Sequence, residues 1–161
     1  MNTVIIRIDN CSSAPDEINA ASSTIANNLV DSYYSAIYRI GIGPEFILLR
    51  INQFSRLLSN FLNELEYPCA AIISAYNPYS QQLSDDENET AHQSLRELLI
   101  SRSCRILESV NLDPSEHWPV EKSFCVVGLD LDTAKSIGQQ YCQNAIVWID
   151  NDAVPRLILL R

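Results

Sequence analysis

CAAIISAYNP, residues 69–78, is the stretch on which the fold turns. Up to Tyr76 it is apolar apart from Ser74, with no alternation. A short continuous run of this kind predicts a strand buried on both faces, one in the middle of a sheet. Asn77-Pro78 closes it. Proline pushes the residue before it toward extended backbone, so the strand is expected to stop there and the chain to turn. Ser84-Asp85-Asp86-Glu87 follows a polar, aromatic loop. Serine with glutamate three residues on is a capping box, so a helix opens there with Ala91, Leu95, Leu98 and Leu99 as its buried stripe.

Outward from this centre the pattern alternates between strands and single helices. Residues 3–8 form a β-branched run, expected as a strand. Ser13 can cap a helix whose inner face is Ile18, Ala21, Ile25, Leu29 and Tyr33. Residues 35–40 and 45–51 flank Gly41-Ile42-Gly43-Pro44 and read as a hairpin. Asn52 can cap a helix carrying Phe54, Leu57, Leu58, Phe61, Leu62 and Leu65 on one face. Residues 109–121 read as a polar loop with two prolines. Residues 123–129 are a strand, Asp130 or Asp132 caps a short helix with Ala134, Ile137 and Tyr141 inward, and residues 144–149 and 155–160 form a last hairpin. The fold class expected is α+β, a mixed or mainly antiparallel sheet with about four helices on it.

The chain of 161 residues is expected to be one domain over 1–161. A domain of this length buries roughly two-thirds of its unfolded surface, enough for a core without staples. The net charge is −9 with scattered basic residues. That excludes nucleic acid, whose phosphates call for clustered Lys and Arg, and docking on anionic membranes. The N-terminus lacks the basic and apolar regions of a signal peptide, and no run approaches the ~18 apolar residues of a membrane span. The five cysteines are odd in number and never spaced C-x-x-C. Cys69 and Cys125 sit in strand-like runs, so reduced core cysteines and a cytoplasmic location are expected.

Motifs of known chemistry are missing. Residues 41–44 precede a strand instead of a helix, so they cannot aim a helix N-terminus at a phosphate. There is no Walker lysine and no G-x-S-x-G. His117 with Asp113 and Glu116 makes a poor metal site, since zinc calls for three or four well-spaced ligands. No cysteine is marked as an activated nucleophile. No cofactor or metal is expected. Asp85, Asp86, Glu87 and Glu89 already answer the helix dipole at the capping box, and an added phosphate would be repelled there.

Ala75-Tyr76-Asn77-Pro78 with Ser80, then Glu87-Asn88, then Trp118-Pro119-Val120-Glu121-Lys122-Ser123, then Gln143-Asn144-Ala145 form an ordered set. In this set the chain resembles a bacterial family known as domain of unknown function 3293. The resemblance runs from about Tyr33 to Leu160, leaving residues 1–32 as an N-terminal extension. Ser74 stands for the family's usual threonine, Tyr141 for its phenylalanine, and residues 103–117 lack its glycine-rich turn. The resemblance implies a shared fold and brings no reaction with it. It also singles out Asn77, Ser80, Asn88, Glu121, Ser123 and Gln143 as polar positions that could gather near the end of the central strand. The plainer alternative is that they satisfy loop backbones, with Trp118 and Tyr79 as lids on the core.

Two functions are weighed. The first is a non-enzymatic interaction protein, immunity- or antitoxin-like, binding a basic protein such as a toxin. Its motive is charge: between Leu57 and Leu95 stand the acids Glu64, Glu66, Asp85, Asp86, Glu87 and Glu89 and no Lys or Arg. The second is a small polar-ligand-binding protein or enzyme using Asn77, Glu121 and Gln143, with Glu121 as a general base if burial raises its pKa. Nothing in the pattern selects an oligomeric state.

Overall fold

The computed structural model describes residues 23–42 and 44–161. The expected strand at 3–8, the cap at Ser13 and Cys11 lie outside them. In chain order come α1 (Asn27–Ser35), β1 (Ile37–Ile42), β2 (Glu45–Arg50), α2 (Arg56–Glu64) and β3 (Ala70–Ser74). A short 3-10 turn (Pro78–Ser80) leads to α3 (Asp85–Ser101), β4 (Arg105–Leu112), β5 (Glu121–Val127), α4 (Leu131–Gln140), β6 (Ala145–Ile149) and β7 (Pro155–Leu159). The seven strands form one sheet in the order β2-β1-β4-β5-β3-β6-β7. Every pairing is antiparallel. This is an α+β fold with four helices among the described residues, as the residue pattern predicts.

The stretch at 69–78 is the interior strand it promised. β3 lies between β5 and β6, and all of Ala70–Ser74 is buried. Its side chains divide between two cores. Ala70 and Ile72 join an inner cluster with residues from all seven strands and with Val30, Leu58 and Leu62 of α1 and α2. Ala71 and Ile73 join an outer cluster with Leu95, Leu99, Ala134 and Ile137 of α3 and α4. The sheet curls around the inner cluster until its edges meet. The Asn52 N–H donates to the Pro155 carbonyl at 2.8 Å, and the Ser55 N–H to the Ala153 carbonyl at 3.1 Å.

Four local expectations are corrected. Of the helix expected from Ser13 through Tyr33, residues 13–22 lie outside the described ones and 23–26 are not helical; the Ser23 hydroxyl accepts the Ile25 N–H at 3.0 Å, and α1 begins at Asn27. The cap of α2 is Ser55, which accepts the Leu58 N–H; Asn52 takes a left-handed backbone with φ 63°. Phe54 and Leu57 do not join the buried stripe and are 62% and 61% exposed. Residues 109–112, read as loop, complete β4. Its inward residues are Leu107, Ser109 and Asn111, so the inner face of this strand is largely polar and apolar alternation does not mark it.

Candidate functional site

Asn77 takes a left-handed backbone (φ 45°) where extended geometry is expected before proline. Asparagine tolerates this region better than most residues, and here its polar groups hold it in place. Its N–H donates to Asn88 Oδ1 at 2.8 Å. Its Oδ1 accepts from Asn88 Nδ2 at 2.9 Å and from the Leu83 N–H at 3.0 Å. Its Nδ2 donates to Glu121 Oε1 at 2.7 Å. Tyr79 and Ser80 are left-handed too, with φ 53° and 57°. Three such residues in a row of four mark a backbone that the surroundings over-determine, as functional corners often are.

Glu121 opens β5 directly across from Asn111 of β4, which lies across from Tyr38 of β1. Strand register therefore puts these three side chains in one row on the inner face. Glu121 Oε1 also accepts the Trp118 indole N–H at 2.8 Å. Its Oε2 receives no hydrogen bond from the described residues. Burial pushes the Glu121 carboxyl above the usual range, while the Asn77 and Trp118 bonds pull it down. Tyr38 is raised as well, first by burial and then by the nearby charge of Glu121.

A cavity of about 60 Å³ opens beside this carboxylate. It is lined by Asn77, Ser80, Asn111, Glu121, Gln143 and Asn144, by Tyr33, Tyr38 and Tyr76, and by apolar residues of β3, β6 and β7. Such a space holds a few waters or a small polar group. No Lys, Arg or His is among its lining residues. Ser80 closes one side, bonded to the Tyr33 hydroxyl at 2.6 Å. Asn144 Nδ2 donates to that hydroxyl at 2.8 Å and to Ser80 Oγ at 3.3 Å. Asn144 is 5% exposed, and its Oδ1 has no partner among the described residues. Gln143 Nε2 donates to the Tyr76 and Tyr141 carbonyls at 3.1 and 3.2 Å.

Of the six positions expected to gather, four line the cavity: Asn77, Ser80, Glu121 and Gln143. The other two stand behind it. Asn88 holds Asn77 from α3. Ser123 is buried in a serine row, bonding Ser109 at 2.7 Å and Asn111 Oδ1 at 2.9 Å, and so orients a lining amide. Tyr33 and Asn144 were not singled out. Asn144 sat inside the Gln143-Asn144-Ala145 piece, and Tyr33 read as part of an apolar stripe. Trp118 is a carboxylate partner as well as a cover. Tyr79 is not a core lid: it is 42% exposed, with the Arg161 guanidinium 4.5 Å above its ring.

The six acids are all exposed but belong to two places. Glu64 ends α2 and Glu66 follows it, on the inner-core side, whereas Asp85, Asp86, Glu87 and Glu89 lie in the first turns of α3, on the other side of the sheet. Glu87 closes the capping box with Ser84, and Glu89 accepts from Lys122 at 2.7 Å and from the Tyr76 hydroxyl at 3.1 Å. His117 Nδ1 pairs with Ser115 at 3.0 Å. Among the described residues no group of three or more His, Cys, Asp or Glu is placed to hold a metal ion. None of the described helices is long and apolar enough to cross a membrane.

Residues 73–146 match the model of the family described as "Protein of unknown function (DUF3293)". The match covers a little under half of the chain. All four motif pieces, from Ala75 to Ala145, fall inside the DUF3293 match, as do most of the residues around the cavity. Tyr33 of α1 and Tyr38 of β1 lie outside it, as do Ile72, Val147 and Leu157, so the cavity is completed by residues beyond the matched segment. No curated protein and no solved structure matches the chain.

Proposed function

We propose that this protein binds a small polar ligand at the corner built by Asn77, Glu121 and Gln143. The observation that carries the reading is their convergence from three distant segments on one cavity, where Asn144 Oδ1 is buried with no partner among the described residues and Glu121 receives its two hydrogen bonds at Oε1 alone. A buried acceptor without a partner is costly, and a ligand that donates to Asn144 Oδ1 removes that cost. The left-handed run at Asn77, Tyr79 and Ser80 supports the same corner. A Glu121 carboxyl raised by burial would also suit proton abstraction from a bound ligand, which would make the site catalytic. The four described cysteines are free, which supports work in a reducing compartment such as the cytoplasm.

The reading of an immunity- or antitoxin-like protein with an acidic face for a basic partner draws less support. Its acids are divided between the two sides of the sheet, and Glu87 and Glu89 are engaged within the fold.

The test is a side-chain amide NMR spectrum of the labelled full chain during titration with a library of small polar compounds. Saturable shifts at the Asn77, Gln143 and Asn144 amides support the site. A library that moves none of them refutes it.

A further inference from the structure

We infer that the ligand is a small organic cation bearing N–H groups, of the guanidinium, amidinium or primary ammonium kind; this rests on the corner being a ligand site. The cavity contains one carboxylate and no basic side chain to balance it. Both bonds that Glu121 does receive are to Oε1 and come from uncharged donors, Asn77 and Trp118. Its Oε2 receives no hydrogen bond from the described residues, and the deeply buried Asn144 Oδ1 has no partner among them. The cavity thus offers acceptors and one negative charge, and the donors among its lining residues are uncharged amides and hydroxyls, with no cationic group to hold an anion. Tyr33, Tyr38 and Tyr76 are among the lining residues, and aromatic rings are better neighbours for a cation than for an anion. The half-buried Glu121 carboxylate meets only uncharged donors within the fold, and a cation hydrogen-bonded to it supplies the opposite charge that the fold omits. The small volume limits the recognised part to a head group of a few heavy atoms. The apolar residues Ile146, Val147 and Leu157 border the same space and suit the carbon next to that head group.

Size-matched probes separate the possibilities. Guanidinium, urea and acetate are titrated into the labelled full chain at constant ionic strength, with guanidinium kept at or below ~50 mM, far from its denaturing range. The readouts are the Trp118 indole N–H, which touches Glu121, and the Asn144 side-chain amide. Guanidinium is expected to give saturable shifts, with urea and acetate at least roughly tenfold weaker. Glu121→Gln, which keeps the side-chain shape and an acceptor for Asn77 and Trp118, is expected to weaken guanidinium at least roughly tenfold. Asn144→Ala tests the second acceptor independently and is expected to weaken it severalfold. If urea binds as well as guanidinium and Glu121→Gln changes nothing, the site survives and the cationic class is overturned. If acetate binds best, the cationic class is likewise overturned. If no probe gives a saturable shift, the ligand site itself fails.

Discussion

Asn77 Nδ2 donates to Glu121 Oε1 at 2.7 Å, joining positions 44 residues apart. This bond ties the end of the central strand to the first residue of its neighbour. The same Asn77 side chain accepts from Asn88 and Leu83, so the corner rests on one amide with its donor and acceptor both engaged.

Asn77→Ala removes that amide and leaves a left-handed backbone without the residue type that tolerates it. A loss of roughly 2–4 kcal/mol is expected in urea unfolding. Asn88→Ala is expected to cost ~2 kcal/mol. Because Asn88 Nδ2 donates to Asn77 Oδ1 and both substitutions remove that one bond, the double variant is expected to lose ~1 kcal/mol less than the sum. Simple additivity would mean that the pair does not act as a unit.

Glu121 gives a pH signature in the ligand-free protein. Its folded carboxyl ionises later than an unfolded one, because burial raises it. Stability from this group is therefore full below the usual carboxylate range and is lost as pH rises through the raised value. Glu121→Gln does not titrate. Wild type is expected to lose stability relative to Glu121→Gln between acidic and neutral pH, read by urea unfolding of both proteins across that range. A difference that is flat, or that moves the other way, contradicts the raised carboxyl.

Much of this was legible from residue pattern, and the gaps have physical causes. The run at 69–76, the Ser84 capping box and the hairpins at 41–44 and 150–153 carry local signals that tertiary contacts did not override. β4 was missed because Ser109 and Asn111 occupy inward positions, satisfied there by Ser123 in a way no period in the sequence reveals. Asn52 and Ser55 are both plausible caps; the choice was made by the meeting of the sheet's edges at Pro155 and Ala153. At the site, Asn77, Glu121 and Gln143 were placed together by motif resemblance. Tyr33 entered only because α1 packs across the inner face, a long-range contact invisible to spacing.

Gly128 offers a test of the packing behind β3. Its φ is 79°, and a Cβ there would lie 2.6 Å from the Tyr67 ring. Gly128→Ala is expected to cost about 1–3 kcal/mol, from strain and overlap together. Adding Tyr67→Ala removes the overlap and leaves the strain, so the substitution at 128 is expected to cost less in that background, about 1 kcal/mol, by thermal unfolding.

Cys125 is fully buried in β5, and burial pushes its thiol up to about 12. A thiol reagent is expected to leave it unlabelled in the native protein and to modify it only on global unfolding, with the sites mapped by mass spectrometry. Labelling at native rates would contradict the buried inner core.

The most direct measurement is a crystal structure of the full chain soaked with guanidinium. The account predicts a planar group in the corner within hydrogen-bond distance of both Glu121 Oε2 and Asn144 Oδ1, at an occupancy that falls sharply in Glu121→Gln crystals. Water alone in that space, with guanidinium bound elsewhere on the surface, would contradict it.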